Sequence, residues 1–278
     1  MSIDESQKAI RRGLSLQQGC ENGCLYCFAR FMSSRILLRR APPNFRWEEP
    51  VLISELIDRA RRIVPRKDET ILFPFLHDIT ERNREICTEI LQAILAGGGD
   101  VVIVTKPRWE TFERLCADLV EHKDQVLMRV TIGSQDDDVL KFWEPNTSTF
   151  AERITCLETA SRMGFDTSAS VVPFLDPRTE DVIELVTYLN SLPTVTRNVW
   201  IGKITHLRRI LGRAQRTAGE NGFETILSLM EATTDDRIRD LHSRIIELDL
   251  EKIVFFSSIT NVIEGRQGSC YQESNNKE

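Results

Sequence analysis

Short β-branched runs alternate with amphipathic stretches along this chain, and that alternation predicts an α/β fold: a partial (β/α)6 TIM-type barrel with a C-terminal helical extension. Three observations carry the expectation. Six strand and helix units can be read in succession. One strand, DVVIVT at 100–105, is apolar nearly throughout, as a strand covered on both faces is. The triple glycine at 97–99 is a natural helix stop just before it. Eight units close the usual barrel, so six leave it open, and its chemistry belongs at the mouth formed by the C-terminal ends of the strands. The same alternation permits a doubly wound open sheet, and periodicity does not choose between the two.

The first strand is expected at 13–17 and, after a long loop, its helix at 51–63, where apolar residues recur at helical spacing. The second strand is expected at 70–74 with a helix at 81–96, and the third, 100–105, with a helix at 109–120. A fourth strand at 125–132 precedes a helix at 149–163 that Gly164 stops. A fifth at 166–173 precedes a helix at 179–189, and the sixth is 198–201. Helices near 223–231 and 235–248 follow, then a stretch at 252–257 that reads as an extra strand or a cap. The domain reading is therefore a core at 1–205, an extension packing on the barrel at 206–263 and a flexible polar tail at 264–278.

A chain of 278 residues, 41% hydrophobic and 28% charged, suits one globular domain with a sizeable core. A formal charge of −6 argues against a protein that coats nucleic acid non-specifically. No run of about 18 apolar residues is present to span a bilayer, and the first residues carry no apolar stretch resembling a signal peptide, so the expected location is cytoplasmic, with no membrane partner. Seven cysteines are an odd number and three crowd into eight residues, which suits free thiols and a metal site better than a disulfide framework.

Those three are Cys20, Cys24 and Cys27, in Cys20-Glu-Asn-Gly-Cys24-Leu-Tyr-Cys27, directly after a predicted strand. A structural zinc site wants four protein ligands and an ordinary ferredoxin-type cluster four cysteines, and neither set is complete here. Cys87, Cys116 and Cys156 fall inside amphipathic helices, where an isolated cysteine is usually a small buried hydrophobe. Three thiolates on a four-iron cluster leave one iron without a protein ligand, open to a small molecule.

This spacing, with the aromatic Tyr26 just before the third cysteine, resembles the signature of the radical S-adenosylmethionine (SAM) superfamily. The resemblance implies two cofactors, a 4Fe-4S cluster and SAM. The open iron would chelate SAM's amino and carboxylate groups, and one electron would break a carbon–sulfur bond to give a 5'-deoxyadenosyl radical for hydrogen abstraction. It also implies an external one-electron reductant such as flavodoxin or ferredoxin. It extends over roughly 13–205, through GCENGCLYCFAR at 19–30, FLHDITERN at 75–83, VVIVTKPR at 101–108 and VTIGSQDDDVLKFWEPNTSTFAERI at 130–154, which are similar to spore photoproduct lyase-like radical SAM proteins. In that group a lysine after the third strand and a hydroxyl at the end of the fourth contact SAM, which maps onto Lys106 and onto Thr131 or Ser134. The superfamily's Gly-Gly-Glu segment after the second strand is replaced here by Pro74-Phe-Leu-His77-Asp78, so His77 and Asp78 become the expected SAM contacts, and Glu144, after the fourth strand, is another. No cysteine lies between Cys27 and Cys87, where spore photoproduct lyase carries a hydrogen-atom donor, which speaks against thymine-dimer repair by that route.

Two segments lack acidic residues: one with Arg30, Arg35, Arg39, Arg40 and Arg46, the other with Arg197, Lys203, Arg208, Arg209, Arg213 and Arg216. Placed after the first and sixth strands, they would border the barrel's lateral gap as a basic rim for an anionic partner, nucleic acid or a phosphorylated substrate. Cys270 falls in the polar tail as a disordered thiol. The competing readings are a non-catalytic zinc or iron–sulfur module, whose fourth ligand would be His77 or Cys270, and an electron-transfer protein indifferent to SAM.

Overall fold

The computed structural model describes residues 10–30, 45–66, 69–205, 207, 210–211 and 219–266. Seven strands form one sheet: β1 (Ile10–Gly13), β4 (Thr70–Leu72), β5 (Asp100–Thr105), β6 (Val126–Thr131), β7 (Asp166–Val171), β8 (Val199–Ile201) and β9 (Ile253–Phe255) lie side by side in that order. All six pairings are parallel and the sheet curves as a half-barrel, so the α/β partial-barrel expectation holds and the doubly wound alternative falls away. The stretch at 252–257 is a strand: β9 adds a seventh to the expected six.

Helices cover the convex side. They are α1 (Ser54–Arg61), α2 (Arg84–Ala96), α3 (Trp109–Leu119), α4 (Asp137–Trp143), α5 (Phe150–Arg162), α6 (Thr179–Ser191), α7 (Gly219–Ala232), α8 (Asp235–Glu247) and α9 (Ser257–Ile263). Strand side chains alternate between faces. Ile103, Met128, Val130, Ala169, Val171, Val199 and Ile201 bury themselves in one core with Ile90 and Leu91 of α2, Leu115 of α3, Leu157 of α5 and Leu185 of α6. Each such aliphatic side chain contributes roughly 1.5–3 kcal/mol by leaving water. The alternate positions, Val104, Arg129, Thr131, Ser168, Ser170 and Trp200, are in register across β5 to β8 and line the concave face.

Two elements depart from expectation. The strand expected at 13–17 is really β1, ending at Gly13, followed by a short β2 (Gln17–Gln18) that pairs antiparallel with β3 (Val51–Leu52). Hydrogen bonds from Leu14 N–H to Leu72 O (3.0 Å) and from Phe75 N–H to Leu14 O (2.7 Å) carry the parallel pairing past β1 before the chain turns. Helix α4 was not anticipated, because the acidic run at 136–138 reads as a loop. Asp136 instead caps the helix, its carboxylate accepting from Asp138 N–H and Val139 N–H.

Candidate functional site at the barrel mouth

The three cysteines ride on a loop between β2 and the chain entering the segment at 28–30. Gly19 turns the loop at φ +88°, and a Cβ there would stand 2.5 Å from the Trp47 carbonyl oxygen, so only glycine fits. The same carbonyl accepts from Cys20 N–H at 2.8 Å. The loop is tied to the far side of the mouth by Leu25 N–H to Trp143 O (2.9 Å) and by Asn146 Nδ2 to Glu21 O (2.8 Å).

Cys20 and Cys24 are buried and Cys27 is half-buried. Burial, with the Asp78 carboxylate next in effect, pushes the Cys20 thiol up to about 12. Burial also lifts Cys24 well above its ordinary value, against the nearby Lys106 ammonium. The three thiols share one short loop, residues 20–27. Among the described residues no three His, Cys, Asp or Glu side chains converge as they would on a single ion. A polynuclear cluster needs one thiolate per iron rather than several on one metal, and this soft donor set fits it. Gln18, two residues before Cys20, is 1% exposed with neither amide atom hydrogen-bonded, a buried polar group that the protein alone does not satisfy.

His77 and Asp78 leave the end of β4 and are fully engaged inside the protein. His77 Nε2 accepts from Leu16 N–H and Nδ1 donates to Asp78 O, both at 3.0 Å, which makes it a neutral imidazole clipping the chain after β1 to that after β4. Burial holds its pKa down at about 4. Asp78 Oδ1 accepts from Ile79 N–H (2.8 Å) and the Thr105 hydroxyl, and Oδ2 from Asn22 Nδ2 (2.7 Å) and Lys106 N–H (2.8 Å). All four of its lone-pair sites are filled. The structure thus sets both residues as braces between the cysteine loop and the strand ends.

A second network spans the mouth. Tyr26 donates its hydroxyl to Glu144 Oε1, and the wholly buried Arg153 of α5 donates Nη2 to Glu144 Oε2 at 2.6 Å. Arg153 also donates Nη1 to Thr131 O at 3.0 Å. Burial opposes the charge on Glu144, but Arg153 and Lys106 outweigh it and hold the carboxyl below its usual range. Lys106 stands 5.6 Å from the Tyr26 ring centroid and is half-buried beside Cys24, Glu144 and Asp78. Burial disfavours its charge, but Cys24, Glu144 and Asp78 together raise its pKa. Its ammonium makes no hydrogen bond or salt bridge among the described residues, unlike its saturated neighbours.

Thr131 ends β6 on the concave face, and its hydroxyl makes no hydrogen bond among the described residues. Ser134 is spoken for: its hydroxyl donates to Asp176 Oδ1 (2.8 Å) and accepts from Asp136 N–H (2.9 Å). Lys106, Tyr26, Glu144, Asp78 and Thr131 therefore come together, whereas His77 and Ser134 sit behind them. Three participants escaped the sequence reading: Asn22, Thr105 and Arg153. Asn22 lies inside the cysteine motif and was findable there, but Arg153 reads as one more charge on an amphipathic helix.

The basic rim is corrected in part. Arg197 precedes β8 and pairs with Asp166 at 2.6 Å, at the end of the strands opposite the mouth, and β8 is no sheet edge because β9 flanks it. Arg30 pairs with Glu48, Arg46 with Glu49 at 3.2 Å and Lys203 with Asp235 at 3.3 Å. The described rim cations thus have carboxylate partners. Arg35, Arg39, Arg40, Arg208, Arg209, Arg213, Arg216 and Cys270 lie outside the described residues. No helix among the described residues is long and apolar enough to cross a membrane.

A half-barrel of parallel strands that carries three cysteines of one loop and the Lys106 ammonium at its C-terminal mouth points to an α/β enzyme. The family model "Radical SAM superfamily" matches residues 14–189, and the chain belongs to that superfamily. Its fold is similar to spore photoproduct lyase complexed with a dinucleoside spore photoproduct, at a TM-score of 0.60 and 16% identity over 88% of this chain and 76% of that one. A double variant of spore photoproduct lyase with bound AdoMet and the same ligand matches at 0.59 and 16%, over 87% and 75%. SuiB of Streptococcus suis, bound to the precursor peptide SuiA, matches at 0.51 and 11%, over 94% of this chain and 54% of that one. No curated protein matches the sequence.

Proposed function

We propose that Cys20, Cys24 and Cys27 hold a 4Fe-4S cluster with one iron left for SAM, and that Lys106 and Thr131 are the side chains that receive SAM. When bound, the pair supplies one-electron cleavage of a carbon–sulfur bond and, from it, hydrogen-atom abstraction from a substrate. The observation that carries this reading is Lys106: its ammonium, beside Cys24 and 5.6 Å from the Tyr26 ring centroid, makes no hydrogen bond or salt bridge among the described residues, while the carboxylates around it accept from other donors. Such a group is suited to a ligand carboxylate. Tyr26, His77, Asp78 and Glu144 act as positioning residues, and Ser134 orders the loop after β6. A nucleoside-bearing substrate is the favoured class, because spore photoproduct lyase holds a dinucleoside photoproduct in a similar fold. The electron comes from an external donor of the flavodoxin or ferredoxin kind.

The test is anaerobic reconstitution with iron and sulfide, reduction, and measurement of 5'-deoxyadenosine formed from SAM. Wild type is expected to form it. Lys106→Met is expected to keep its cluster absorbance yet lose at least tenfold in SAM affinity. A fully loaded wild type that leaves SAM intact, or anaerobically purified protein holding one zinc and no iron, would refute the reading.

A further inference from the structure

The concave face of the sheet carries a cation that the mouth does not use. Arg129 sits in the middle of β6, one pleat below Thr131, and is 7% exposed. Its side chain leaves the sheet opposite Met128 and Val130, which are packed under the helices. Its Nε donates to Ser168 Oγ on β7 at 3.3 Å, and its guanidinium lies over the Trp200 ring on β8, 4.7 Å from the centroid. The Ser168 hydroxyl donates in turn to Asn198 O at 2.8 Å. One edge of the guanidinium is therefore pinned and its plane is set by the indole.

The other edge is left open. Neither Nη group makes a hydrogen bond or salt bridge among the described residues, and neither is among the buried atoms lacking a partner, so solvent reaches both. Arg129 makes no salt bridge among the described residues, and burial lowers its pKa to about 10. Around it Asn198 Nδ2 and Trp200 Nε1 are buried donors without partners, and the Ser170 hydroxyl, one pleat above Ser168, makes no hydrogen bond among the described residues. A guanidinium withdrawn from water without a counter-charge is unfavourable, and packing alone would be served by an apolar side chain. A planar fork of donors with one edge unpaired matches the two oxygens of an anionic group.

We infer that Arg129, pinned by Ser168 and stacked on Trp200, anchors an oxyanion subsite in the half-barrel, taking a phosphate or carboxylate group of the substrate. The inference rests on the reading of the concave face as the substrate side of a radical SAM enzyme.

It is tested with full-length reconstituted protein, unreduced so that no turnover occurs, titrated calorimetrically with inorganic phosphate, with acetate and with a dinucleoside monophosphate. At least one anion is expected to bind. Preference for the two phosphates assigns a phosphate source, and preference for acetate a carboxylate. Arg129→Met is expected to weaken binding at least tenfold, Arg129→Lys to restore part of it, and SAM affinity by equilibrium dialysis to stay within twofold. No anion binding to wild type, wild-type affinity in Arg129→Met, or loss of SAM affinity instead of anion affinity would each overturn it. Should Arg129→Met not fold, wild-type crystals soaked in phosphate decide: an anion at the Nη atoms supports the subsite, and water or protein there removes it. Formation of 5'-deoxyadenosine by wild type is scored separately. Its absence with intact anion binding defeats the radical chemistry alone, and its presence without anion binding defeats the subsite alone.

Discussion

Asp78 takes one hydrogen bond from the cysteine loop, through Asn22, and two from the end of β5, through Thr105 and Lys106. An asparagine in its place keeps a single accepting oxygen and presents an amide to donors it must repel. Each buried donor left unpaired costs about 1–3 kcal/mol. Asp78→Asn is therefore expected to lower the thermal midpoint and the iron bound per chain, and unchanged iron content would show that the brace is dispensable. Asp176 makes a different prediction. Burial raises its carboxyl from 3.8 to about 6, despite the Ser134 bond. The folded state then binds more protons than the unfolded state between those values, so stability falls as pH rises through the window and stays reduced at pH 7. Asp176→Asn should raise the unfolding free energy measured by urea titration at pH 7 by roughly 1–3 kcal/mol, and an equal or lower value would count against it. His77, held at about 4, acts in the opposite sense, withdrawing stability as pH falls from 6.5 towards 4. At this scale the sequence marked which residues gather near the mouth but not which hydrogen bonds they make. His77 and Asp78 were expected at a ligand because they stand where the family carries a binding segment, but only three-dimensional contacts reveal that their polar atoms are already spent.

The elements were more legible than the residues. Strand β5 begins and ends where its apolar run does, and α5 and α6 follow from their helical periodicity, because tertiary burial and local pattern agree there. The misses have specific causes. The residues at 10–13 contain two arginines and read poorly as a strand, yet pair with β4 because an edge position tolerates charge. Helix α4 hides behind an acidic run that turns out to be its own cap. Gly19 is the element-scale test. Its φ of +88° and the Trp47 carbonyl 2.5 Å from any added Cβ leave no room for a side chain in the turn that delivers Cys20. Gly19→Ala is expected to fold its barrel, with far-ultraviolet circular dichroism preserved, but to lose most of its visible cluster absorbance after reconstitution. A normal absorbance would mean that the turn does not govern the cysteines.

The whole molecule divides its work between two faces of one sheet. The convex face is an aliphatic core under helices, and the concave face is polar and carries Arg129, Thr131, Ser168 and Ser170 in register. The mouth joins them, with the cysteine loop strapped across β4, β5 and the segment after β6. The half-barrel was readable from the count of strand and helix units. The seventh strand was not, because Ile253–Phe255 is too short for periodicity to separate a strand from a cap. The proposed chemistry requires a cluster held by three thiolates alone. Electron paramagnetic resonance of the reduced, reconstituted wild-type protein, recorded before and after adding SAM, measures this directly. The account predicts that SAM changes the g-values of the cluster. A well-formed four-iron signal that SAM leaves unaltered would contradict it.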